Sequence, residues 1–139
     1  MTGFLLDTNV ISEPSKPDPN PHVLRWIAQN DERSLFVSVL TFGEINRGIS
    51  LLPASKKRER YQRFLELLGE RFGERALPFD RAAAEQWGAL LARCSASGTP
   101  MPTIDSMLAA TALTHGLTIV TRNVGDFRPA GVPLVNPFT

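Results

Sequence analysis

With 139 residues, 42% hydrophobic and 21% charged, the chain has the size and composition of one folded domain, which excludes the apolar-poor, highly charged make-up of a disordered one. Cys94 is its single cysteine, which excludes an intrachain disulfide and a cysteine-based zinc site, and a formal net charge of +1 gives no global attraction to nucleic acid. Asp7 comes too early for the apolar region of a signal peptide and no apolar run reaches the length of a membrane span, so a soluble, cytoplasmic protein with no membrane partner is expected.

Phe4-Leu5-Leu6 reads as a buried strand with Asp7 at its C-terminal end. Four prolines between Pro14 and Pro21 forbid a helix interior and predict a loop, followed by a helix over 23–29. Leu35-Phe36-Val37-Ser38 is a second β-type run. From Thr41, Phe42, Ile45, Ile49 and Leu52 recur at helical spacing, and residues 55–72 repeat Tyr61, Phe64, Leu65 and Leu68 on one face, which predicts a helical hairpin at about 41–73. Ala76 to Phe79 reads as extended, and Asp80 as the cap of a helix to about Ser97. A further helix over 103–115, with Thr103 as its candidate cap, stops at Gly116. Leu117 to Thr121 is the clearest strand, and Leu134-Val135 a last short one. Strands separated by helices imply an α/β fold: a central parallel sheet of four or five short strands with helices on both faces, one domain over 1–139. Functional groups in such sheets collect beyond the carboxyl ends of the strands.

Four acids fall at strand ends or helix starts: Asp7, Glu44, Asp105 and Asp126. Each has a plain structural reading beside a chemical one. Asp7 can cap a following helical turn. Thr41 and Glu44 match a capping box. Asp105 suits the positive end of its helix, and Asp126 a turn. Taken together, they would repel one another on one sheet edge unless a cation were present. An oxygen-only set suits Mg²⁺, or Mn²⁺, and not zinc, since His22 and His115 have no partner at ligand spacing. No nucleophile elbow, phosphate loop or dinucleotide turn is present, which leaves water as the nucleophile. Between Lys56 and Arg63 five basic residues face one acid, a surface that can track a phosphate backbone or simply be a solvated helix face.

These motifs resemble a known family. Leu5-Leu-Asp-Thr-Asn-Val-Ile-Ser, Ser38-Val-Leu-Thr-Phe-Gly-Glu44, Ile104-Asp105 with Leu-Ala-Ala-Thr-Ala, and Ile119-Val-Thr-Arg-Asn-Val-Gly-Asp-Phe are similar in order and spacing to the acidic motifs of PIN domains of the VapC and FitB toxin type. Glu13-Pro14 and the closing Val-Asn-Pro-Phe resemble the FitB-like branch. The resemblance implies a PIN-like fold and an Mg²⁺-dependent endoribonuclease, the toxin of a toxin–antitoxin pair. It implies Asp7 and Asp105 as metal ligands, Glu44 as a ligand or the residue that places the attacking water, and Thr8, Asn9, Ser38 and Thr121 as residues orienting the acids. Asn123 stands where many members have Asp, so the fourth carboxylate would come from Asp126. Implied partners are RNA, a second copy of the chain, and a VapB-like antitoxin whose C-terminal segment enters the acidic groove with an Arg. Two other functions compete: an RNA-processing nuclease without antitoxin, and a non-catalytic binding module. Phosphate transfer through Asp7 would want a second Asp where Asn9 stands.

Overall fold

The structure, a computed structural model, describes residues 2–139. Five short strands, β1 (Phe4–Leu6), β2 (Leu35–Ser38), β3 (Ala76–Leu77), β4 (Thr118–Val120) and β5 (Leu134–Val135), form one parallel sheet in the order β3-β2-β1-β4-β5. β1 lies at its centre, with Phe4 in register with both Leu35 and Thr118. Successive strand residues point to opposite faces, and the core divides accordingly. Leu5, Phe36 and Ile119 pack into one apolar cluster, whereas Leu6, Leu35, Val37 and Val120 pack into another. A sheet covered on both faces explains why its strands read as continuous apolar runs. Fully burying a residue such as Leu5 contributes roughly 1.5–3 kcal/mol.

The first cluster is closed by α5 (Arg81–Ser97) and α6 (Thr103–His115), through Leu90, Cys94, Leu108 and Ala112. The second is closed by α1 (Thr8–Ser12), α2 (Pro21–Gln29) and α4 (Lys56–Phe72), through Val10, Val23, Leu68 and Phe72. α3 (Val39–Ser50) packs against α4, and α7 (Val124–Phe127) follows β4. Asp80 caps α5, accepting the Ala83 amide at 3.1 Å. Gly116 ends α6 with φ 64°, a left-handed conformation that glycine adopts without strain. No helix among the described residues is long and apolar enough to cross a membrane.

Three local expectations are corrected. α3 starts at Val39, capped by Ser38, whose Oγ accepts the Leu40 amide at 3.0 Å. Thr41 therefore lies inside the first turn, and Glu44 is not part of a capping box. α6 has Pro102 at its cap position with no side-chain capping bond, so Thr103 is its first residue and not its cap. α2 begins two residues earlier than expected, because Pro21 sits at the first helical position, where its missing amide costs nothing, behind the cap Asn20.

From β1 the chain winds outward through β2 and β3, then returns to β4 on the other side of β1. That reversal makes the carboxyl ends of β1 and β4 the switch point of the sheet, where an open crevice forms. Asp7 and Thr121 immediately follow those two strands.

Candidate active site

Asp7 sits in the crevice at 7% exposure. Its amide continues the ladder to the Val120 carbonyl at 2.9 Å, which fixes its backbone to β4. Its carboxylate accepts three hydrogen bonds: Oδ1 from the Thr8 amide at 2.8 Å, Oδ2 from the Thr121 hydroxyl at 2.8 Å, and Oδ2 from Asn9 Nδ2 at 3.2 Å. A carboxylate offers about four lone-pair sites, so roughly one remains, on Oδ1. Asp7 thus caps α1 and also presents a clamped, buried carboxylate. The structural and chemical readings of this residue are compatible.

The other acids arrive on helices. Glu44 lies in the second turn of α3, and its Oε1 accepts the Thr8 hydroxyl at 2.9 Å. Asp105 stands in the first turn of α6, near the positive end of the helix dipole. That turn is anchored by Ser106, whose hydroxyl accepts from Trp87 Nε1 at 2.9 Å and donates to the Thr103 carbonyl at 2.6 Å. Asp126, expected in a turn, lies in the short helix α7 and is exposed.

Asp7, Glu44 and Asp105 each feel the charge of a neighbouring acid. Desolvation is the main cause that pushes Asp105 up to about 6, and the charges of Asp7, Asp126 and Glu44 add to it. Burial likewise raises Asp7, against the hydrogen bonds of Thr121, Thr8 and Asn9, and Asp126 raises it further. Glu44 is raised by desolvation and by Asp7, and lowered by Thr8. Among the described residues no Lys or Arg forms an ion pair with any of the four.

Such a set fits a hard divalent cation. Its donors are oxygens, its charge is uncompensated, and Asp7 keeps a lone pair open to the crevice. Among the described residues no three acidic, His or Cys side chains stand close enough to form a complete cage. Mg²⁺ does not require one, because it is usually held by one or two carboxylates and keeps several of its waters.

Thr8, Asn9 and Thr121 are all brought against the acids. Ser38 and Asn123 are placed otherwise. Ser38 is fully buried and caps α3, so its link to Glu44 runs through the helix. Asn123 contributes its amide, which donates to Thr121 Oγ1 at 3.0 Å. The sequence reading missed Arg122, whose amide donates to Asn9 Oδ1 at 3.1 Å, and Ser106. The position of Arg122 directly after the strand-ending Thr121 was the available signal. For Ser106, one residue past Asp105, nothing in the sequence pointed to Trp87.

This crevice, with acids from β1, α3, α6 and the segment after β4, defines an acidic hydrolase-type site on a PIN-like sheet. Residues 4–130 match the PIN domain family, and the chain belongs to it. It is 38% identical over 138 residues to the VapC ribonuclease Y4jK of Sinorhizobium fredii, covering 97% of each chain. It is 36% identical over 136 residues to Toxin FitB of Neisseria gonorrhoeae, covering 97% of this chain and 98% of that one. The crystal structure of FitAcB from Neisseria gonorrhoeae superposes with a TM-score of 0.91 at 36% identity, over 97% of this chain and 98% of that chain.

Proposed function

We propose that the chain is an endoribonuclease and the toxin of a toxin–antitoxin pair, hydrolysing RNA phosphodiester bonds with water in a crevice that takes Mg²⁺ or Mn²⁺. One observation carries this reading: the partly or wholly buried carboxylates of Asp7, Glu44 and Asp105 are brought together with Asp126 nearby, and among the described residues no Lys or Arg forms an ion pair with any of them. The relatives that share the fold include a ribonuclease and a toxin.

Asp7 and Asp105 would hold the ion, with Asp126 as the fourth acid and Glu44 nearest Thr8. When bound, a divalent ion activates water and offsets charge on the phosphoryl group. The chain does the rest. Thr8, Asn9 and Thr121 fix both oxygens of Asp7, so its free lone pair faces one direction. Glu44 is held through Oε1 by Thr8, which leaves Oε2 to orient the attacking water and accept its proton. Its raised affinity for protons suits that role.

The antitoxin fits the groove beside the acids. Between α1, α3 and α4 lies a cavity of about 360 Å³ lined by Thr8, Glu44, Ile45, Ile49, Tyr61 and Phe64 among others. An apolar segment would lie along α3 and α4, and an Arg at its end would reach the carboxylates and neutralise them. We further propose that residues 1–139 act as one unit in the cytoplasm and pair as a homodimer, for which exposed Leu91 and Ile104 offer apolar surface.

Cleavage of total small RNA by the purified chain, with Mg²⁺ or Mn²⁺ and beside EDTA, tests the reading. Cutting that EDTA, Asp7→Asn and Asp105→Asn each abolish is the expected result. Intact RNA with both metals would favour a binding module.

A further inference from the structure

Glu13 carries a carboxylate in the protein interior, at 4% exposure, and makes no hydrogen bond to any of the four acids. Its Oε1 pairs with Lys16 Nζ at 3.0 Å and with Arg122 Nη2 at 3.4 Å, and its Oε2 accepts the Asn20 amide at 3.0 Å. The Arg122 guanidinium is gripped from a second side, its Cζ lying 4.1 Å from the ring centroid of Phe138. Asn20 Nδ2 closes the circle by donating to the Phe138 carbonyl at 3.3 Å. Glu13 and Phe138, distant in sequence, are thus two jaws on one arginine.

The main chain of Arg122 belongs to the crevice. Its amide donates to Asn9 Oδ1 at 3.1 Å, and Asn9 Nδ2 donates to Asp7 Oδ2 at 3.2 Å. The residues on either side, Thr121 and Asn123, meet at the Thr121 hydroxyl that donates to Asp7 Oδ2. We infer that Glu13 is a positioning residue of the crevice: with Phe138 it grips Arg122, which sets Asn9 and Thr121 against Asp7 and keeps the guanidinium out of the acid cluster. The effect on catalysis rests on the endoribonuclease reading above. Removing the charge of Glu13 releases the Arg122 side chain from one of its two holds, which loosens the main chain whose amide fixes Asn9 and lets the guanidinium turn toward the crevice.

The test compares Glu13→Gln, Arg122→Gln, their double variant and Phe138→Leu with the wild type. Two readouts are taken: kcat and KM for an RNA oligonucleotide at saturating Mg²⁺ or Mn²⁺, and amide hydrogen exchange in the metal-free protein. Partners that orient metal-binding groups are typically worth about tenfold or more in activity, so kcat is expected to fall about tenfold in Glu13→Gln with KM for RNA changed less than about twofold. Phe138→Leu should fall in the same direction, and the double variant no further than the worse single, since both act through one contact. The Arg122 amide should exchange faster while that of Ile119, inside the sheet, does not. Unchanged kcat, losses that add in the double variant, or Arg122 and Ile119 accelerating together would overturn the inference; the last would make Glu13 a stabiliser of the fold only. If the wild type cuts no RNA, the endoribonuclease reading fails, and exchange at Arg122 alone decides whether Glu13 reaches the crevice.

Discussion

Thr8 joins two acids from distant parts of the chain, Asp7 beside it and Glu44, 36 residues further on from Thr8: its hydroxyl donates to Glu44 Oε1 at 2.9 Å and its amide to Asp7 Oδ1 at 2.8 Å. One residue therefore sets the distance between the end of β1 and the second turn of α3. Thr8→Val keeps the amide bond and the side-chain shape but removes the hydroxyl. RNA cleavage should fall about tenfold, as for other groups that orient metal-site carboxylates. Because the lost bond is exposed, stability should drop by no more than about 1 kcal/mol. Steady-state cleavage beside thermal unfolding checks this, and full activity in Thr8→Val would release Glu44 from the proposed role.

A second expectation concerns pH. Asp105 is raised from an ordinary value of 3.8 to about 6 in the folded chain. The folded state therefore binds this proton more tightly than the unfolded state does. Stability from Asp105 is fully present below about pH 4 and is lost as pH rises through 6 in metal-free protein. Asp105→Asn removes at neutral pH a charge that burial desolvates and the neighbouring acids repel. With solvent screening on its open side, the gain should be about 1 kcal/mol, near 3 °C in Tm. Unfolding followed from pH 4 to 8 in EDTA reads the effect. A variant less stable than the wild type at pH 7 would contradict it.

Much of this site was readable because its acids sit where the chain changes period. Asp7 closes an apolar triplet, and Asp105 opens a helix of Ala and Leu, so strand and helix ends located both. The start of α3 was misread because Ser38 serves twice, as the last residue of β2 and as the cap of the next helix, with no loop between. Thr41, the expected cap, instead buries its hydroxyl without a partner among the described residues. The strand order was not legible either, since two- and three-residue strands carry no register signal of their own. What places β4 beside β1 is the shared core of Leu5, Leu6, Ile119 and Val120 on opposite faces of the sheet. Long-range polar links such as Glu13 to Arg122, 109 residues apart, have no periodicity at all.

Metal binding should show itself without RNA. A ligand that binds only the folded state stabilises it by about 2.7 kcal/mol at a hundredfold excess over Kd. Mg²⁺ or Mn²⁺ should therefore raise the Tm of the wild type, and EDTA should reverse the rise. Asp7→Asn should lose most of it, because Asp7 supplies a buried carboxylate in the crevice that no cation among the described residues pairs with. An equal rise in wild type and Asp7→Asn would place the ion elsewhere.

The fourth acid can be assigned by substitution at two neighbouring positions. Asp126 is close enough to raise both Asp7 and Asp105, whereas Asn123 touches the site through its backbone, its amide donating to Thr121 Oγ1 and its carbonyl accepting the Asp126 amide at 3.1 Å. Asn123→Ala keeps that amide, so cleavage should stay within about twofold of the wild type, the range expected when no functional contact is lost. Asp126→Asn removes a charge that the cation would otherwise balance. Activity should drop between about tenfold and a hundredfold, and the Asp105 carboxyl should titrate lower in the metal-free variant. The titration, read by NMR of the side-chain carboxyl, is independent of catalysis. If Asn123→Ala proved the more damaging change, and Asp105 titrated identically in Asp126→Asn, the fourth position would belong to Asn123 and the site would hold its ion with three carboxylates.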